Sequence, residues 1–158
     1  MRTYRGRTVC GGTVGGAATV CSREMPAYPV PAGVEEELMR FEQAKSEALG
    51  QLAQLEEEVA VQAGKEAAAI FAVHRLRLED FDYIQMAEDG IRVGKSAQEA
   101  VQGAGRTCAA MFEQMEDPYL RERGADMMDI SARVIACLNG CAYPPESGPE
   151  AILIAEDF

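Results

Sequence analysis

The one histidine, His74, is the residue best suited by type to move a proton or hold a metal, and its surroundings decide whether it does either. A metal site in a helical bundle needs a second histidine or a Glu-x-x-His pair, and the sequence has neither. A general base needs a nucleophile to activate or a group to orient it, and none is identifiable beside His74. What remains is a structural or docking histidine. Five cysteines, Cys10, Cys21, Cys108, Cys137 and Cys141, are odd in number and form no Cys-x-x-Cys pair. They read as free thiols of a reducing compartment, not as a disulfide framework or a zinc site. Cys137 and Cys141, one helical turn apart, read as a packed pair of small apolar residues. The run Gly-Gly-Thr-Val-Gly-Gly at 11–16 has the composition of a phosphate cradle, yet no lysine or helix start follows it, so it reads as a turn.

The elements that must position His74 emerge from periodicity. His74 lies in the stretch 69–83, whose apolar residues Ile70, Phe71, Val73, Leu76, Leu78 and Tyr83 are too many for a helix that meets water on most sides. Something packs on it from more than one direction. Before it, Val34, Leu38, Phe41, Ala48, Leu52, Leu55 and Val59 recur at helical spacing, with Glu35, Glu36 and Glu37 in a first turn that favours negative charge. This predicts one long helix ending near Gly64. A second helix starts near Lys65, is bent or restarted by Asp80 and Asp82, and stops near Gly94. Ser96 with Glu99 is a capping box for a third, carrying Ala100, Val101, Ala104, Cys108, Met111, Phe112 and Met115, in which Gly103 and Gly105 allow close helix approach. Asp117 with Pro118 starts a fourth, with Leu120, Met127, Ile130, Val134, Ile135 and Leu138 as its apolar line and Asn139-Gly140 as its stop.

Outside the helices the pattern changes. Residues 1–21 alternate in the manner of strands around glycines, predicting strand, turn and strand, and Ala151–Ala155 reads as a short buried strand. Prolines at 26, 29 and 31 and at 144, 145 and 149 mark connectors on either side of the helical part. The expected organisation is therefore a strand pair and linker over 1–32, four helices over 33–142, and a linker with a returning strand over 143–158. A helical domain inserted between strands of a neighbouring sheet has this layout. The closing strand has no helix after it to cover a sheet, so the chain reads as cut short.

Composition bounds the function. At 158 residues, 47% apolar and 26% charged, the chain has the make-up of one globular domain with a small appendage. Its 26 acidic and 15 basic side chains give a formal charge of -11, which argues against nucleic acid and anionic membrane as partners and for a basic protein. No run approaches the ~20 apolar residues of a membrane span, and no apolar h-region follows the basic N-terminus, so the expected location is the cytoplasm.

Three runs carry a resemblance: AIFAVHRLRLED at 69–80, DPYLRERGADMMD at 117–129 and AILIAED at 151–157. In this order and spacing the chain resembles the N-terminal portion of Enzyme I of the bacterial phosphoenolpyruvate:sugar phosphotransferase system. The resemblance implies a mainly α fold, a four-helix subdomain inserted between strands of a truncated α/β phosphohistidine domain. It implies a docking role toward the phosphocarrier protein HPr and, in the whole enzyme, transfer of a phosphoryl group from phosphoenolpyruvate through a histidine to HPr. The family's active histidine lies in a Gly-Gly-x-Thr-Ser-His type segment, which does not occur in these residues; His74 does not match it. No catalytic residue, metal ligand or cofactor is therefore assigned to this chain, magnesium and phosphoenolpyruvate belonging to a C-terminal domain of the family. Alone, the chain is expected to lack phosphotransferase activity.

Carried over position by position, the implied HPr-binding residues are Glu66, Ile70, His74, Arg77, Phe81, Asp82 and Tyr83 of the second helix with Phe112, Leu120 and Arg123 of the third and fourth. Ile70, Phe112 and Leu120 read equally as bundle core, and Arg123 equally as the partner of Glu122 or Asp126. Lys65, Ala72 and Arg77 replace residues that are acidic or apolar on the family's docking face, which predicts weaker or slower docking of an ordinary HPr. The alternative is a stand-alone helical interaction or regulatory protein derived from Enzyme I, recruiting a different partner. The remainder of Enzyme I is itself an expected partner if the chain is a fragment.

Overall fold

The computed structural model describes residues 28–141 and 143, together with the short strands at 18–20 and 152–154. The chain separates into two compact units, Met1–Glu24 with Pro145–Phe158, and Met25–Pro144. In the first, β1 (Ala18–Val20) pairs in parallel with β2 (Ile152–Ile154), in the register Ala18 to Ile152 and Val20 to Ile154. The strands that bracket the helical stretch in sequence are thus hydrogen-bonded neighbours. The other strand and the glycine turn expected within 1–17, and the cysteines Cys10 and Cys21, lie outside the described residues.

The second unit holds five helices where the sequence predicts four: α1 (Val34–Ala63), α2 (Lys65–Leu78), α3 (Phe81–Arg92), α4 (Ala97–Glu113) and α5 (Pro118–Leu138). The additional boundary falls at Asp80, where a bend or restart is expected. Asp80 takes an extended backbone and its carboxylate accepts the N–H groups of Asp82 at 3.0 Å and Tyr83 at 3.4 Å. Those bonds satisfy donors that a new helix leaves open, so a cap replaces a bend. Gly64 alone links α1 to α2. Its φ of +91° is open to a glycine and costly for other residues, and it lets the two helices fold back along each other. At the far end of the unit, α5 closes in a Schellman motif: with Gly140 at φ +64°, its N–H donates to Cys137 O at 3.0 Å and the Cys141 N–H to Ala136 O at 2.9 Å. Cys141 is exposed there while Cys137 is buried, so the two do not form the packed pair expected.

The core is built mainly where α4 meets α5 and α3, with α1 laid across them. Its largest fully buried side chains include Tyr83, Phe41, Leu52, Leu78, Ile91, Met127 and Ile130. Along α1 the buried line is Glu37, Phe41, Ala44, Ala48 and Leu52, and Val34, expected on it, is 41% exposed. The buried line of α1 thus ends at Leu52, and α1 also packs along α2, where Ala68 is buried.

Glu37 is a charged residue inside this core, with no exposed surface. Its carboxylate accepts the Ala97 N–H at 2.7 Å, the Ala32 N–H at 3.2 Å and the Arg40 guanidinium at 2.8 Å. Ala97 is the first residue of α4, so one carboxylate ties three things together: the chain entering α1, α1 itself and the positive end of α4. Burial alone raises a carboxyl pKa. Here the backbone donors and Arg40 outweigh it and hold Glu37 below the usual carboxylate value. Ser96, also buried, adds a cap by accepting the Glu99 N–H at 3.3 Å.

Candidate protein-docking face

Ile70, His74 and Arg77 recur at intervals of four and three residues, which sets them on one face of α2. Ile70 is 36% exposed. His74 is held at its edges. Its ring stands edge-on to Phe71, with centroids 6.5 Å apart, and its Nε2 lies 3.6 Å from Asp126 Oδ1 on α5, buried and without a hydrogen bond. Asp126 also accepts from Arg123 Nη1 through Oδ2 at 3.1 Å. One carboxylate thus stands between two residues that the resemblance assigns to a docking face, and for Arg123 it is the intrabundle ion pair read as the alternative. Arg77 lies over the ring of Phe112 on α4, 4.9 Å from guanidinium carbon to ring centroid.

The Asp80 cap fixes the phase of α3, so that Phe81 and Asp82 point outward and Tyr83 inward. Phe81 is 74% exposed and Asp82 is exposed, whereas Tyr83 has no exposed surface at all. Tyr83 is thereby corrected from a surface residue to a core residue. Its phenol meets Ser131 Oγ at 3.1 Å, and since the Ser131 hydroxyl donates to Met127 O at 2.8 Å, the tyrosine is the donor in that pair. Burial pushes the Tyr83 pKa well above its ordinary value.

The other expected residues divide. Glu66 is exposed in the first turn of α2. Phe112 and Leu120 are partly exposed, and Phe112 packs against the core while its face is covered by Arg77. Met111 and Met115 flank Phe112 in sequence and are 51% and 38% exposed, although their spacing reads as core. What separates them from the buried Cys108 is position: Met111 lies in the last turn of α4 and Met115 just beyond its end. Burial raises the Cys108 thiol pKa, Asp80 and Asp82 raise it further, and Arg77 opposes them. These charges share one neighbourhood around the thiol.

Ile70, Phe81, Met111 and Met115 are exposed apolar side chains, Asp82 is exposed, Arg77 and Arg123 are partly so, and His74 is held beside the Asp126 carboxylate. Flexible methionines and a solvated phenylalanine are the side chains of protein recognition. Among the described residues, nothing here pairs a nucleophile with a base. The groove between α1 and α2, lined by Ala53, Ala60, Ala68 and the Glu56–Arg75 ion pair at 3.1 Å, contains none of the expected site residues.

Comparison with known proteins identifies the family. Residues 5–123 match the family model for the N-terminal part of PEP-utilising enzymes. Phosphoenolpyruvate-protein phosphotransferase of Bacillus sp. (strain S) is 33% identical over 130 residues, 80% of this chain, and that of Listeria monocytogenes is 34% identical over 128 residues, 79% of it. The chain spans only 22% of the length of these curated relatives. A solution structure of an Enzyme I protein, nEIt, superposes with a TM-score of 0.71 at 28% identity, covering 90% of this chain and 60% of that one. The N-terminal domain of Enzyme 1 - Nitrogen superposes with a TM-score of 0.73 at 24% identity, over 89% of this chain and 60% of that one, a likeness of fold. No helix among the described residues is long and apolar enough to cross a membrane. The chain belongs to the N-terminal family of PEP-utilising enzymes and corresponds to the N-terminal part of Enzyme I.

Proposed function

We propose that this chain is the module of a phosphoenolpyruvate-protein phosphotransferase that docks HPr, holding its histidine near the phosphohistidine of the sheet domain. The observation that carries the reading is Phe81. A phenylalanine 74% exposed at the start of a capped helix is costly in water, and it stands on the face where the resemblance puts the partner. The helical unit is read as the family's four-helix subdomain with its second helix divided at Asp80, and the parallel strands β1 and β2 as part of the phosphohistidine domain that it interrupts in sequence. Docking contributes proximity: a partner held in place meets its reaction site at a high effective concentration.

The Gly-Gly-x-Thr-Ser-His segment is not among the 158 residues; on this reading the phosphoryl group, phosphoenolpyruvate and magnesium are handled by other parts of the whole enzyme. The working location is the cytoplasm. Isothermal titration of the 158-residue chain with HPr of the same organism tests the assignment. Saturable binding that Phe81→Ala weakens by about tenfold supports it, a loss on the scale of a partner-facing aromatic anchor. Absence of binding refutes it. Labelled phosphoenolpyruvate should leave the chain unlabelled, and label on His74 would contradict the docking role.

A further inference from the structure

Among the described residues, Arg77 finds no acceptor for its guanidinium. Of the described arginines that are not exposed, Arg40 bonds Glu37, Arg75 bonds Glu56, Arg123 bonds Asp126 and Arg133 bonds Gln51 and Tyr143 O. Arg77 alone among them makes no side-chain hydrogen bond or ion pair within the described residues, yet it is not loose. Its guanidinium carbon rests 4.9 Å from the Phe112 ring centroid, a contact that holds the head group against the ring and leaves its N–H donors unspent. Asp80 and Asp82 stand close enough for all three charges to act on Cys108, but neither comes within ion-pair distance of Arg77. A half-buried cation with its stem immobilised and its donors open is preorganised for an oxyanion that arrives from outside.

We propose that Arg77 is a specificity-determining residue of the docking face, and that the cognate HPr sets an acidic side chain against it. This rests on the docking assignment and refines it. A carboxylate fits better than a phosphate. The flanking Asp80 and Asp82 put negative potential around the site, which a single charge paired with an arginine tolerates and a dianion does not. Glu66 and Asp82 favour a basic partner, so an acidic group opposite Arg77 gives the interface a mixed pattern of charge. Mixed patterns reject partners that offer positive charge at that point.

The test is binding of wild type, Arg77→Leu and Arg77→Glu to the HPr of the same organism, by isothermal titration at low and high salt. Arg77→Leu keeps an apolar cover on Phe112, so its melting temperature should match wild type and report an intact fold. Arg77→Leu should lose about fivefold in affinity and Arg77→Glu more, with the difference shrinking at high salt. Single Asp or Glu to Lys changes on HPr should then include one that restores binding to Arg77→Glu. Unchanged or tighter binding by Arg77→Leu would overturn the proposal and leave Arg77 as a cover for Phe112. Wild type that fails to bind HPr at all would overturn the docking assignment itself, an outcome distinct from the first.

Discussion

Two glycines in α4, Gly103 and Gly105, should respond in opposite directions to the same substitution. A Cβ added at Gly105 would stand 2.2 Å from Ser131 Oγ and 2.8 Å from Ser131 Cβ, with Met127 O at 3.3 Å. A rotamer change can move the hydroxyl but not Ser131 Cβ, so α4 and α5 must separate where Ser131 is 2% exposed. Overpacking of this kind costs about 1–3 kcal/mol. The shift also breaks the bond from the buried Tyr83 phenol to Ser131, at roughly 1–3 kcal/mol. Against these stands the helical gain of alanine over glycine, about 1 kcal/mol. The net expectation for Gly105→Ala is a loss of about 3 kcal/mol, a fall in melting temperature of roughly 6–12 °C by circular dichroism. At Gly103 an added Cβ meets no atom within 4 Å, so Gly103→Ala should gain up to about 1 kcal/mol and melt ~2–4 °C higher. Equal shifts in the two variants, or a Gly105→Ala that melts at or above wild type, would refute the close α4–α5 crossing.

Two further substitutions examine the buried polar groups. Glu37→Gln should destabilise the unit by about 2–3 kcal/mol near neutral pH, because its charged acceptor serves two backbone donors and Arg40. Since the folded pKa of Glu37 is lowered, the stability it contributes is present above the ordinary value of 4.5 and is lost as pH falls through the lower folded value; urea titrations should show wild type and variant converging in that acid range. Tyr83→Phe should cost about 1 kcal/mol in urea unfolding while leaving HPr affinity unchanged, as its phenol faces Ser131 and not solvent. Weakened HPr binding by that variant would return Tyr83 to the interface.

Most element boundaries are legible in the sequence because they rest on local chemistry. Gly64 and Gly140 end helices by their positive φ, Pro118 begins one, and Ser96 caps another. Asp80 is legible as a bend or a restart, and which of the two it is depends on whether the chain takes an extended turn there, which composition does not encode. Burial is harder to read. Helical spacing marks Val34, Met111 and Met115 as core, yet all three are exposed, Val34 as the first residue of α1, Met111 in the last turn of α4 and Met115 just past it. Glu37 shows the reverse: as one of three glutamates in a first turn it reads as a dipole partner, and its second role depends on Ala97, 60 residues away. Gly103 and Gly105 read alike in sequence, and only the path of α5 separates them. In the site, resemblance locates the face and the fold corrects its membership, since the phase of α3 turns Tyr83 inward and Phe81 outward.

The most direct test of the docking assignment is a titration of the isotope-labelled chain with unlabelled HPr of the same organism, monitored through amide and histidine-ring resonances. Shifts should concentrate at Glu66, Ile70, His74, Arg77, Phe81 and Asp82 and at the α4 and α5 positions Phe112, Leu120 and Arg123, with the first half of α1 unmoved. Resonances of His74, Phe81 and Asp82 that stay in place at saturating HPr would contradict docking on this face.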